Sequence, residues 1–256
     1  RKDFEKKLIK ASIELEKRVE ERTEELTRIN KKLEGTNREL ESFAYITSHD
    51  LKAPLRAIGS LSDWLYADYA DKLDDNGKEQ LQLLKKRVSK MHELIEGILN
   101  FSRIGRIDGE KQRVDLNHLL KEIKVLIQVP PHIKIVTNKP LPVLNYYKTH
   151  LMQLFENLIS NAVKYCDKPE GIIEISCDDL PDMWRFIIKD NGMGIDEKYH
   201  AKIFEIFQRL RPNDETEGTG IGLTIVKKIV ENAGGTISLE STPGEGTTFE
   251  FTLPKN

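Results

Sequence analysis

The chain has little of what would mark a secreted, membrane-spanning or nucleic-acid-binding protein. Its only two cysteines, Cys166 and Cys177, fit neither a disulfide framework nor a zinc site. No apolar run approaches the roughly 18 residues that span a bilayer, and no signal peptide is recognisable. With 40 Lys and Arg against 42 Asp and Glu, the chain also lacks the basic excess that binds nucleic acid. We therefore expect a cytoplasmic region with free thiols and no nucleic-acid partner.

The first 42 residues are highly charged and contain one glycine, Gly35, and no proline. Alternating steps of four and three residues select a seam of mainly apolar positions: Leu8, Ser12, Leu15, Val19, Arg22, Leu26, Ile29, Leu33, Thr36, Leu40 and Phe43. We predict a coiled coil over residues 1–42, because a lone helix of this polarity has little to stabilise it. A single solvated helix with ion pairs is the alternative. Since Arg1 already lies in the helical pattern, we expect a fragment of a longer chain, whose membrane anchoring the sequence leaves open.

Residues 43–104 read as a hairpin of two helices, the site of dimerisation. In the first helix, His49 lies opposite an apolar stripe and is followed directly by Asp50. The stripe consists of Phe43, Thr47, Leu51, Pro54, Leu55, Ile58, Leu61 and Leu65. A turn at residues 74–77 leads into a second helix over residues 78–104, which has its own apolar stripe. Two helices cannot bury both stripes alone, so we predict a homodimer that forms an antiparallel four-helix bundle.

The rest of the chain changes character. Residues 105–113 have no periodicity and read as a hinge linker, while residues 114–256 mix helices and strands. Asp115 is a suitable N-cap for one helix, and longer helical patterns cover Tyr147–Tyr165 and Gly220–Ala233. Strands are predicted at residues 133–136, 172–176, 184–189, 236–240 and 248–253. Helices on one face of a mixed, largely antiparallel sheet indicate an α+β fold, arranged as an α/β sandwich.

Three polar side chains share one face of the helix over Tyr147–Tyr165. Asn157, Asn161 and Lys164 recur at i, i+4 and i+7, which lines two amides and an ammonium along one groove. Mg²⁺ prefers hard oxygen ligands and keeps most of its waters, so one amide oxygen and substrate phosphates suffice to hold it. A solvated helix face is the alternative interpretation.

Two glycine-rich segments follow this helix. Asp190-Asn191-Gly192-Met193-Gly194 begins where a strand ends, and its carboxylate can accept from an exocyclic amine while the glycines admit a flat base. Gly218-Thr219-Gly220-Ile221-Gly222-Leu223 opens a helix, whose free N–H groups and dipole favour phosphate. No strand leads into it, which argues against a Rossmann fingerprint. Taken alone, the first segment is also compatible with an ordinary turn.

The order and spacing of these segments resemble the sensor histidine kinases of two-component signalling. The stretches around His49, Asn157–Tyr165, Asp190–Ile195 and Gly218–Leu223 resemble that family's H, N, G1 and G2 boxes, and Ile203–Phe207 resembles its F box. The resemblance covers residues 42–254. It implies a histidine-containing dimerisation domain followed by a GHKL-type catalytic domain at residues 114–256 that binds ATP and Mg²⁺.

The resemblance also assigns roles to residues of the ATP-binding domain. It places Asn161 on Mg²⁺ and Asp190 on the adenine amino group, and it makes residues 208–219 a lid over the triphosphate. The remaining nucleotide-binding residues that it implies are Asn157, Lys164, Tyr165, Gly192, Gly194, Arg209, Gly218, Thr219, Gly220, Gly222 and Leu223.

The activity that the resemblance implies is ATP-dependent protein histidine autokinase. His49 would be phosphorylated, with Asp50 fixing its tautomer, and would pass the phosphoryl group to a response-regulator receiver domain. Ala53 stands where the family often has the threonine or asparagine needed for phosphatase activity, so we expect a weak phosphatase. The stretch Glu21–Leu26 resembles the linker after a sensor module, often a PAS domain, so we expect such a domain upstream.

Two other functions are compatible with parts of the sequence. One is a GHKL-type ATPase that works by clamping, although Asn157 stands where such relatives carry a water-activating glutamate. The other is a non-catalytic dimeric scaffold that binds nucleotide as a switch, which the presence of His49, Asp50, Asn161 and Asp190 disfavours.

Overall fold

The computed structural model describes residues 2–104, 110–208 and 218–255. The chain divides into two compact units, residues 1–49 and 50–256. Part of the predicted hinge and most of the predicted lid, including Arg209, lie outside the described residues. Within the described ranges, no helix combines the length and apolar character needed to cross a membrane.

The first unit is formed by one helix. Helix α1 spans Lys2–Tyr69 and is continuous across the predicted domain boundary after residue 42. Ion pairs one turn apart, such as Arg18 with Glu14 at 3.4 Å, line its charged surface. Seven seam positions are each more than half exposed: Leu15, Val19, Leu26, Ile29, Leu33, Leu40 and Phe43. The predicted helix is confirmed, while its pairing into a coiled coil stays a prediction.

The second unit begins with the predicted helical hairpin. Residues 50–69 of α1 run against helix α2, Asp75–Arg103, after a short 3₁₀ turn. Polar pairs across the hairpin show its antiparallel register: Tyr66 with Gln82 at 3.2 Å, Asp63 with Lys85 at 2.8 Å and Lys52 with Glu96 at 2.6 Å. The hairpin therefore brings the start of its first helix beside the end of its second.

Helix α2 begins earlier than the sequence pattern predicts. Asp74 is its N-cap, and the side-chain Oδ1 accepts a hydrogen bond from the backbone N–H of Gly77 at 2.8 Å. The cap satisfies one of the free N–H groups of the first helical turn. The predicted turn at residues 74–77 is therefore wrong, because Asn76 and Gly77 already belong to the helix.

The described residues after the hairpin form the predicted α+β domain. Its elements in chain order are β1 Gln112–Asp115, α3 Leu116–Leu126, β2 Ile133–Thr137, β3 Val143–Tyr146, α4 Lys148–Lys164, β4 Gly171–Asp179, β5 Met183–Asp190, α5 Gly222–Asn232, β6 Ile237–Thr242 and β7 Gly246–Pro254. The main sheet has the order β2-β4-β5-β7-β6 and is antiparallel except between β2 and β4. β1 and β3 form a separate antiparallel pair that the sequence pattern did not predict.

The domain core lies between its helices and the main sheet. Six apolar side chains of α4 are buried there, on the face that the sequence predicted: Leu151, Leu154, Phe155, Leu158, Ile159 and Ala162. The ring of Phe155 meets those of Phe186 and Phe251 at centroid distances of 5.7 Å. Because these aromatic contacts fix one face of α4 against the sheet, the polar face of the helix is left for the site.

Candidate functional site

Asp190 is the last residue of strand β5, and its side chain is hydrogen-bonded within the candidate site. Its Oδ1 accepts hydrogen bonds from the backbone N–H groups of Gly192 at 2.9 Å and Thr247 at 3.2 Å. Burial raises the pKa of this carboxyl, and the two N–H donors partly oppose that rise. Since both bonds end on Oδ1, they hold the carboxyl group in place.

The glycines after Asp190 let the loop pack closely on neighbouring backbone. A Cβ on Gly192 would lie 2.7 Å from the carbonyl oxygen of Tyr165. Gly194 has a φ of +68° and lies against the carbonyl group of Thr242. The N–H of Met193 donates to the Tyr165 carbonyl at 3.2 Å, which ties the loop to the end of α4. The visible reason for these glycines is close backbone packing, and their direct contact with a nucleotide stays a prediction.

Asn157, Asn161 and Lys164 lie along the polar side of α4. The Nδ2 of Asn157 donates to a backbone carbonyl one turn earlier at 2.7 Å, and a Cβ on Gly222 would lie 2.5 Å from its Oδ1. Asn161 is half-buried, and among the described residues its side-chain amide has no hydrogen-bond partner. The Nζ of Lys164 lies 5.1 Å from the ring centroid of Tyr165. In the described ranges, no group of three or more His, Cys, Asp or Glu could hold a metal ion.

The segment Gly218–Leu223 connects to α5 through a left-handed residue. Gly220 has a φ of +72°, and its carbonyl accepts from the N–H of Phe207 at 3.0 Å. The N–H of Ile221 donates to Thr219 Oγ1 at 3.4 Å. A left-handed residue cannot continue a right-handed helix, so α5 begins at the second residue after it, later than predicted. The leucine that ends the segment packs against the domain core.

Helix α2 contacts this glycine-rich segment and α5, which the sequence did not predict. The Nζ of Lys90 donates to the carbonyl oxygen of Gly218. A Cβ on Gly97, in the middle of α2, would lie 2.6 Å from the Cδ1 of Ile221. Lys228 of α5 donates to a backbone carbonyl of α2 at 2.9 Å. Glycine inside a helix costs stability, so Gly97 was the one sequence signal that another element approaches α2 closely.

The predicted site residues outside the α+β domain lie on α1. His49 is exposed, and so is Asp50 directly after it. Ser48, on the other side of His49 in sequence, is buried at 4% exposure. Ala53 is exposed and offers no polar group at its surface. The His49 side chain is therefore accessible, as the helical pattern predicted.

Both parts of the chain match known protein families. Residues 39–107 match the His Kinase A (phospho-acceptor) domain. Residues 147–256 match the histidine kinase-, DNA gyrase B- and HSP90-like ATPase. The first match contains His49, and the second contains every predicted nucleotide-binding residue from Asn157 to Leu223.

Several known proteins contain a region similar to this chain within a longer sequence. Cyanobacterial phytochrome B of Nostoc sp. (strain PCC 7120) is 44% identical over 92% of this chain and 32% of its own length. The structure of full-length ShkA in complex with AMPPNP has a TM-score of 0.64 and 25% identity, covering 82% of this chain and 45% of that one. The structure of histidine kinase ThkA with response regulator TrrA has a TM-score of 0.57 and 23% identity, covering 86% and 64%. The chain spans about a third of the length of the curated relatives it matches.

The fold and the site define a class of protein: an ATP-binding domain of the GHKL type preceded by a helical phospho-acceptor hairpin. Relatives that carry the same two regions include a methanogenesis regulatory histidine kinase of Methanothrix harundinacea, 31% identical over 96% of this chain and 27% of its own length. This chain belongs to the histidine kinase family.

Proposed function

We propose that this region is an ATP-dependent autokinase that phosphorylates His49 and relays the phosphoryl group to an aspartate of a response regulator. The observation that carries the proposal is the pairing, in one chain, of an exposed His49 in a phospho-acceptor domain with the half-buried Asp190 carboxylate of an ATPase domain. Because ATP is the expected substrate, we expect the region to work in the cytoplasm.

Asp190 supports adenine recognition in this proposal. Its Oδ1 is held by two backbone N–H groups, so Oδ2 is the acceptor for the exocyclic amine of the base. Burial strengthens such a hydrogen bond, because water competes less for both partners. Tyr165 directly follows α4, is 39% exposed, and accepts a backbone hydrogen bond from Met193 in the loop after Asp190, so its ring is our candidate to border the base.

Asn161 is the residue best suited to meet Mg²⁺. Its amide is half-buried and makes no hydrogen bond among the described residues, unlike the amide of Asn157. A neutral oxygen donor fits an ion whose charge is balanced mainly by substrate phosphates. Bound Mg²⁺ would neutralise charge on the phosphates. Asn157, bonded within α4 and bordering Gly222, is more suited to positioning the start of α5.

The chemical step needs a neutral imidazole at His49. One ring nitrogen attacks the γ-phosphorus of ATP, the bond from that phosphorus to the bridging oxygen breaks, and ADP leaves. We expect Asp50 to accept from the N–H of the other ring nitrogen, which fixes the tautomer and makes the attacking nitrogen more basic. Positioning and charge neutralisation supply most of the catalysis in phosphoryl transfer.

Homodimerisation is part of the proposal because the hairpin leaves an apolar stripe uncovered. Six of its side chains are more than 40% exposed in the single chain: Leu51, Ile58, Leu61, Leu65, Leu84 and Met91. A second copy would cover them in a four-helix bundle. The exposed seam of α1 would pair in the same dimer as a coiled coil and transmit a signal from an upstream sensor domain by a change of register or rotation.

The partner that receives the phosphoryl group would be a receiver domain. ThkA, which shares the fold of this chain, was solved with the response regulator TrrA, and we extend that kind of partner to this chain. Ala53 has no hydroxyl or amide to hold a water against a phosphoaspartate. We therefore expect kinase and phosphotransferase activity with little phosphatase activity.

Incubation with γ-labelled ATP tests the proposal. Acid-labile label on the wild-type chain, absent in His49→Gln, is the expected result. His118→Gln is a matched control, since His118 is also exposed, at 71% of its side chain, but lies on α3 of the ATP-binding domain. Free labelled phosphate without labelled protein would instead indicate a clamping ATPase, and neither product would indicate a non-catalytic scaffold. Label that persists in His49→Gln would refute the assignment of His49.

A further inference from the structure

Lys90 brings a positive charge from helix α2 to the glycine-rich segment of the ATP-binding domain. Its Nζ donates to the carbonyl oxygen of Gly218. The carboxylate of Glu93 lies 3.5 Å from the same nitrogen, and the Lys90 side chain is 26% exposed. A lysine ammonium has three N–H donors. One is used by Gly218 and one faces Glu93, so a third can reach a further acceptor.

A second lysine approaches the same glycine from helix α4. A Cβ on Gly218 would lie 2.5 Å from the Nζ of Lys164. The ammonium groups of Lys90 and Lys164 therefore both lie beside Gly218, and α5 begins four residues further on at Gly222. The two ammonium groups favour binding of an anion here, and so do the N–H groups at the start of a helix.

The position of Lys90 is set by packing along α2. Lys90 and Gly97 are seven residues apart, which is two helical turns, so both lie on the same face of α2. Gly97 lies against Ile221, which is 1% exposed, and any side chain at Gly97 would collide with it. The contact between α2 and α5 therefore holds Lys90 at the glycine-rich segment.

We propose that Lys90 binds the phosphates of the nucleotide, so that the helical hairpin supplies a ligand to a site otherwise built by the ATP-binding domain. The inference rests on the ATP binding proposed above. Lys90 and Lys164 bracket the polyphosphate, and Lys90 keeps its bond to Gly218 while donating to a phosphate oxygen. The contact between α2 and α5 strengthens nucleotide binding by placing Lys90 at the phosphates. By linkage, bound nucleotide strengthens that contact by the same factor.

Nucleotide titrations on the full chain test this role. Calorimetry with AMPPNP, ADP and AMP in the presence of Mg²⁺ compares the wild type with Lys90→Met and Lys90→Arg. We expect Lys90→Met to weaken AMPPNP binding about tenfold, the usual effect of losing a charged hydrogen bond, and to leave AMP binding nearly unchanged. Lys90→Arg should retain most of the affinity. Glu93→Gln should strengthen AMPPNP binding, because it removes the competing carboxylate.

Lys78→Met is the matched control, since Lys78 lies on α2 beside Asp75, far along the helix from Lys90. It should bind all three nucleotides like the wild type. Equal AMPPNP affinity in Lys90→Met and wild type would overturn the inference. Equal losses of affinity for AMPPNP and AMP in Lys90→Met would also overturn it, because they would indicate that Lys90 only holds the structure together and does not contact the phosphates. If the wild type itself binds no nucleotide, the proposed ATP site fails and the role of Lys90 fails with it.

Discussion

The α+β domain and helix α1 both carry large apolar side chains, but only the domain buries them within a single chain. Phe155, Phe186 and Phe251 are completely buried between helix and sheet, while Phe43 on α1 is 66% exposed. A sheet covered by helices closes a core from its own residues. A single helix has no second layer, so its apolar seam needs another molecule. One region of this protein is therefore stabilised by its own chain, and the other is expected to depend on a partner.

The largest effect should come from charging the uncovered stripe of the hairpin. Leu61 and Leu65 are 54% and 46% exposed. Leu61→Glu with Leu65→Glu would bury four carboxylates in the dimer, and each unpaired buried charge costs several kcal/mol. We expect a monomer by light scattering that still binds AMPPNP, since the ATP-binding domain has its own core. Ala67→Glu, on the opposite side of α1, should remain dimeric. A dimeric double variant would refute the proposed bundle.

A complementary substitution addresses the self-contained core. Phe155→Ala removes a fully buried ring that contacts two others. We expect it to lower the free energy of unfolding of the ATP-binding domain by about 3–5 kcal/mol, measured by denaturant unfolding, without changing the mass of the dimer. Phe4→Ala, at a position that is 72% exposed, should change stability by less than about 0.5 kcal/mol. Similar losses for the two variants would contradict the contrast between the regions.

The same contrast explains what the sequence could predict. The buried face of α4 and the main-sheet strands follow from local apolar periodicity, and the order of the motifs identified the family before any geometry was known. Strands β1 and β3 have only four residues each, which is too short for an alternation of apolar and polar residues to identify them. The start of α2 depended on the Asp74 side chain, and the contact between Gly97 and Ile221 joins residues distant in sequence. Periodicity cannot report such contacts.

A smaller effect is expected at Asp190, which belongs to the self-contained region. Asp190→Asn removes the charge from the acceptor proposed for adenine while keeping its shape. We expect the affinity for AMPPNP to fall by about 1–3 kcal/mol, the range for hydrogen bonds to charged groups, with the dimer intact. Asp182→Asn, at an exposed position in the turn between β4 and β5, is the control. Unchanged affinity in Asp190→Asn would count against the adenine site.

The pH dependence of that affinity sharpens the assignment. Burial raises the pKa of Asp190 above its ordinary value of 3.8. As the pH is lowered, this carboxylate should therefore become protonated at a higher pH than an exposed aspartate does. Once protonated, it is a weaker hydrogen-bond acceptor for adenine. Its effect on folding has the opposite direction: the raised pKa means that the folded state binds the proton more tightly, so this residue's contribution to stability rises as pH falls through that window. Affinity that is independent of pH in the wild type down to the ordinary value would contradict the role of the carboxylate.

The smallest effect compares two helical glycines, Gly35 in the exposed helix α1 and Gly97 at the point where α2 packs on α5. Gly35 in α1 has open space around it, whereas a Cβ on Gly97 would lie 2.6 Å from Ile221. Gly35→Ala should stabilise its helix by about 0.5–1 kcal/mol, because alanine loses less backbone entropy. Gly97→Ala gains the same helix propensity but crowds α5, and overpacking of this kind costs about 1–3 kcal/mol. We therefore expect the two substitutions to shift the unfolding free energy of the full chain in opposite directions, with faster hydrogen exchange at the end of α2 only in Gly97→Ala. Equal stabilisation by both would mean that α2 and α5 do not form this contact in solution, and would remove the packing on which the position of Lys90 depends.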